Sequence, residues 1–82
     1  MIKSLLISTN DILISEIEEV VSEIGEPDCK LTNPYVVAST GELVPWLSDA
    51  TEQKIFMISS DKIITLADPK NDLLKKYTKL FS

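Results

Sequence analysis

The chain contains no histidine, no arginine, a single cysteine and only two glycines. Without histidine there is no imidazole base for acid–base work. Without histidine or a second thiolate the usual zinc cluster has no ligand set, so neither a metal nor a cofactor is expected. Cys29, being alone, forms no internal disulfide and reads as a small buried hydrophobe with a structural role, not a nucleophile. Gly25 and Gly41 are too few for a phosphate-cradling loop. The pair Glu18-Glu19 reads as solvated surface, and Asp49, Asp61, Asp68 and Asp72 fall where turns or a helix cap account for them. These absences argue against an enzyme. Long apolar runs are missing as well, since no stretch approaches the roughly 20 residues of a membrane span. The apolar run after Met1-Ile2-Lys3 stops at Ser8-Thr9-Asn10-Asp11, too soon for a secretory leader. The expectation is a cytoplasmic protein with no membrane partner.

Eighty-two residues make one domain. A chain this short buries roughly 60–65% of its unfolded surface, and small domains are completed by disulfides, metals or partner subunits. With the first two removed, self-association remains. The net charge is −5 and all eight basic residues are lysines. That composition is poor for generic nucleic-acid binding, because phosphate contacts and guanine readout favour arginine. The charge is unevenly placed. Glu16, Glu18, Glu19, Glu23, Glu26 and Asp28 crowd the first third, whereas Lys54, Lys62, Lys70, Lys75, Lys76 and Lys79 lie in the last third. A molecule with one acidic and one mildly basic side follows.

Residues 3–8 (KSLLIS) predict a short strand closed by the turn-forming Thr9-Asn10-Asp11. Residues 12–24 are ambiguous. Leu13, Ile14, Ile17, Val20, Val21 and Ile24 fall at helical spacing, with Asn10 or Asp11 as cap and Gly25 and Pro27 as stop. The same β-branched run also fits a long bent strand. Residues 29–39 (CKLTNPYVVAS) predict a strand in which Pro34 implies an edge position or a bulge. Thr40-Gly41 is a turn, and the segment 42–47 (ELVPWL) reads as a loop excursion or another edge segment. In residues 54–67 (KIFMISSDKIITLA), two apolar arms flank Ser60-Asp61 and predict a β-hairpin. Both arms are apolar on successive residues, so both faces need covering. One cover is the domain's own core, and the other is a neighbouring subunit. Asp68 as N-cap and Pro69 at the first helical position then open a helix over 69–81. Its apolar stripe is Leu73, Leu74, Tyr77, Leu80 and Phe81.

This order of segments resembles the Sm-like proteins, the family of the Sm, LSm and Hfq rings. The family's second signature, an apolar strand, I-R-G-D/N and a second apolar strand, is matched by Phe56-Met57-Ile58-Ser59-Ser60-Asp61-Lys62-Ile63-Ile64. Its first signature is matched by residues 3–8, 9–11, 12–24, 25–28 and 29–39 as strand, turn, long strand, polar loop and third strand. The likeness is greatest to a small type from marine cyanophages that combines LTNPYVV-like, PWL and SDKIITL segments. It implies a mainly β fold: a five-stranded, strongly bent antiparallel barrel over residues 2–67 followed by the C-terminal helix, with 12–24 as the long strand. It also implies a homo-oligomeric ring, pentamer to heptamer, closed by strand edges. The candidate interface residues are Ile55, Met57, Ile58, Ile63, Ile64 and Leu66. Single-stranded RNA or DNA would then bind at Lys30, Ser59, Ser60, Asp61 and Lys62, repeated once per subunit. Ser59 and Ser60 stand where the family has arginine and glycine, Lys30 where it has asparagine, and no aromatic residue takes the base-stacking place. The alternative is a structural or protein-binding ring without nucleic acid, motivated by the acidic balance.

Overall fold

The computed structural model describes residues 1–81. Six strands precede one helix: β1 (Ile2–Ile7), β2 (Ile12–Glu19), β3 (Cys29–Val37), β4 (Leu43–Pro45), β5 (Ile55–Ile58), β6 (Ile63–Ala67) and α1 (Asn71–Lys79). The fold is mainly β, one antiparallel sheet in the order β4-β3-β2-β1-β6, with β5 also on β3. β4 and β5 share one edge of β3, taking Tyr35 to Val37 and Cys29 to Thr32 respectively.

The arms at 55–58 and 63–67 do not form the expected hairpin. β5 pairs with β3 and β6 pairs with β1, at opposite ends of the order β5-β3-β2-β1-β6. A 3-10 turn at Ser60–Lys62 joins them. A flat sheet would hold these two strands about 19 Å apart at ~4.8 Å per strand. Five compact residue steps through a 3-10 turn fall short of that, so the sheet is rolled. Among the described residues no ladder joins β5 to β6, and the chain itself bridges the seam. The sheet has six strands where five were expected, because β4 forms a short pairing of its own.

Residues 12–24 resolve the helix–strand ambiguity in favour of a strand, which is shorter than expected and ends at Glu19. Leu13, Ile14 and Ser15 are buried in succession. Cross-strand neighbours share a face, and Ile14 lies in one row with Ser4 and Tyr35. Tyr35 meets Tyr77 of α1 edge-on, with centroids 5.9 Å apart. Ile14 is therefore covered from outside by the helix, while Leu13 joins Leu5, Ile7 and Leu31 in the interior. Ile17, Val36, Trp46, Ile58 and Ile63 pack around these four.

β3 bends at Asn33-Pro34. Between the pairs Ile14–Tyr35 and Glu16–Thr32, β3 has one residue more than β2, which is a bulge. Asn33 takes the left-handed conformation there (φ 53°), and Pro34 falls where a ladder donor is not needed. Ser15, opposite the bulge, is fully buried and donates its hydroxyl to the carbonyls of Glu16 (2.8 Å) and Thr32 (3.1 Å).

α1 starts two residues later than expected. Lys70 precedes it without a side-chain cap, and Asp68 instead accepts a hydrogen bond from the Lys3 ammonium. The helix is latched by Tyr77, whose hydroxyl donates to the Asn33 carbonyl at 2.8 Å. No helix among the described residues is long and apolar enough to cross a membrane.

Candidate binding rim and subunit edges

The 3-10 turn is held from two sides. The Ser8 N–H donates to the Lys62 carbonyl (2.8 Å), tying the turn to the β1–β2 corner. The carboxylate of Asp28 accepts from both the N–H (2.7 Å) and the hydroxyl (2.8 Å) of Ser60. These two bonds hold the Asp28 carboxyl below the ordinary carboxylate value of 3.8. The rim therefore consists of Ser59, Ser60, Asp61 and Lys62 braced against the start of β3. Asp28 was not singled out from sequence. Its partner is 32 residues away, and no local pattern signals that contact.

Of the nucleic-acid candidates, Ser59 to Lys62 are contiguous on the turn, with Asp61 and Lys62 exposed. Lys30 lies apart from them. It sits in β3 between Glu18 and Met57 in the cross-strand row, and its ammonium pairs with Glu18 at 3.3 Å. Lys30 lines a hollow of about 140 Å³ with Glu16, Glu18 and Thr32. Ser60 instead borders a larger hollow of about 540 Å³ with Cys29, Ile63, Ile64 and Leu66. Glu18 borders both. The surroundings of the rim are thus more acidic than the five candidate residues suggest.

The interface candidates divide into two sets. Ile55 (46% exposed) and Met57 (47%) project from β5, and Ile64 (59%) and Leu66 (51%) from β6. Ile58 and Ile63 are half-buried and pack against the interior on one side, with Ile63 also bordering the larger hollow. The outer edges of β5 and β6 have no partner strand among the described residues. A bulge between Leu6 and Ile7 of the β1 pairing leaves Ile64 as the extra residue of β6.

Cys29 is buried beneath this region. Burial, and then the charges of Asp28 and Glu19, push its thiol above the ordinary value of 9.0, which keeps it protonated and a poor nucleophile. No cluster of three metal-ligating side chains occurs among the described residues.

A family model matches residues 1–82, the full length of the chain. The chain belongs to the family of unknown function DUF6561. No curated protein matches it. In this chain the turn that links β5 to β6 is braced by Asp28, Lys30 is paired with Glu18, and the two strands flanking the turn each leave an apolar edge unpaired among the described residues.

Proposed function

We propose that this DUF6561 chain is a non-catalytic, ring-forming module of the Sm-like kind, working in the cytoplasm. In this reading β5 of one subunit pairs with β6 of the next, and the rim binds single-stranded RNA or DNA. The observation that carries it is the pair of unpaired edges, each bearing two apolar side chains about half exposed. Open apolar strand edges invite pairing and are normally covered. A head-to-tail contact between two different edges closes into a ring when the rotation permits. Each subunit then presents Ser59, Ser60, Asp61 and Lys62 once. Weak contacts repeated around a ring add up to useful affinity. The absence of an imidazole and the protonated state of Cys29 support a binding role without chemistry.

A protein-binding scaffold ring is the second reading. The Lys30–Glu18 pair and the Asp28 carboxylate beside Ser60 favour it, because both subtract positive field from the rim. Light scattering tests the ring, with a mass of several subunits expected. Titration of oligo-U and oligo-A against salt then separates the ligands. Binding that weakens linearly on log–log axes, with a shallower slope in Lys62→Ala, supports nucleic acid. No binding at low salt selects the scaffold.

A further inference from the structure

A small number of groups hold α1 on the sheet. Of its nine residues only Tyr77 is buried; Leu73 and Leu74 are half-buried and the rest are exposed. The Tyr77 ring meets Tyr35 and Phe81 edge-on, at 5.9 and 5.1 Å, and its hydroxyl donates to the Asn33 carbonyl. A second polar tie lies in the open, where the Lys76 ammonium donates to the Gly41 carbonyl at 2.9 Å. The first turn is looser. Lys70 supplies no side-chain cap. A hollow of about 510 Å³ separates Lys70, Asp72 and Leu73 on the helix side from Ile12, Val37 and Ala38 on the sheet side.

Isolated helices under about 12–15 residues are marginal in water, so a nine-residue helix that leaves the sheet also melts. The strands do not depend on it in the same way. Leu5, Ile7, Leu13 and Leu31 pack together in the interior, on the face of the sheet away from α1. Release of the helix uncovers Ile14, which is 0% exposed beneath it, and its neighbour Tyr35.

We propose that α1 is a releasable strap: it leaves the sheet as one unit before the strands unfold, and its release loosens the entry to β5. Asn33 is the link. Its carbonyl takes the Tyr77 hydroxyl, and its N–H donates to the carbonyl of Lys54, the residue before β5. Asn33 also holds a left-handed φ of 53°, which a side chain disfavours and which persists only when its surroundings impose it. Losing the Tyr77 bond removes one of those constraints. β5 bears one of the two open edges, and the link stands whether or not rings form.

Native-state hydrogen exchange at rising urea tests both parts. The α1 amides from Leu74 onward should exchange at least about tenfold faster than those of β1 and β2, each relative to its unprotected rate. Their urea dependence should be shallower, because release exposes less surface than unfolding does. The Asn33 amide should follow the α1 set. Tyr77→Phe should speed the α1 and Asn33 amides about fivefold, the worth of one hydrogen bond. Lys76→Met removes the Gly41 tie without touching the Tyr77–Asn33 bond, and should speed both sets by one common factor. α1 amides that share the protection and urea slope of the strands overturn the strap. An Asn33 amide that follows the strands, or that Lys76→Met leaves unchanged while α1 speeds up, overturns the link to β5.

Discussion

Ile64→Lys separates subunit contact from folding. Ile64 is 59% exposed on the edge strand β6, so in the lone subunit a lysine there reaches water at once and the fold should survive. In the proposed ring the same position would be covered. Burying an isoleucine side chain contributes about 1.5–3 kcal/mol, and the exposed part of Ile64 corresponds to roughly 1–2 kcal/mol of that. Placing an ammonium in the contact adds a further cost of a few kcal/mol, even when its long stem lets the charge reach the surface. A total of about 3 kcal/mol or more weakens each contact over a hundredfold. Light scattering at micromolar protein should report a monomer whose circular dichroism is unchanged. Its melting point should no longer depend on dilution, whereas that of the parent should. The neighbouring Ile63 packs against Leu5, Ile7, Leu13 and Leu31, so Ile63→Lys should unfold the chain instead. An Ile64→Lys protein that keeps the parent's mass refutes the edge contact, and one that unfolds refutes the outward placement of Ile64.

Three further outcomes are expected. Tyr77→Phe removes the hydroxyl from the Asn33 carbonyl and should cost about 1 kcal/mol. Tyr77→Ala also empties a buried ring site and should cost about 3–5 kcal/mol, both read by urea denaturation; equal losses would mean that the ring does not pack. Asp28 is held ionised by Ser60, so its contribution to stability is present above the ordinary value of 3.8 and fades as pH falls below it. The melting-point gap between the parent and Asp28→Ala should therefore shrink in acid, and a gap independent of pH counts against the Ser60 brace. Cys29 should resist iodoacetamide in the native protein and react only on unfolding, because its thiol is buried and kept protonated.

Much of the fold was legible along the chain, and its long-range pairing was not. The strand at 29–37 and the bulge at Pro34 follow from β-branched residues interrupted by a proline. At 12–24 the apolar spacing suggested a helix for two unrelated reasons. Leu13 and Ile14 are adjacent yet both buried, since one faces the interior and the other lies under α1. Val21 and Ile24, which completed the helical stripe, are not buried at all. The two arms around Ser60-Asp61 looked like a hairpin because proximity in sequence is the only pairing signal a single chain offers. Here the partners are β3 and β1, and the short link closes a seam. Pro69 gave the start of α1 only to within two residues, because Asp68 serves Lys3 and not the helix. At the rim, Ser59 to Lys62 were legible as the turn between two apolar runs. Asp28 and the capture of Lys30 by Glu18 depend on neighbours that only folding brings close.

Asn33 ties two otherwise separate parts of the molecule to one residue. Its N–H donates to the Lys54 carbonyl at 2.7 Å, immediately before β5 begins. Its carbonyl receives the Tyr77 hydroxyl that anchors α1. Force applied to the β5 edge and force applied to the helix therefore meet at the same backbone unit, which is already in a conformation that few residues adopt. A neighbour that pulls on β5 loads the anchor of α1 as well. The β5 edge and the helix α1 are mechanically in series.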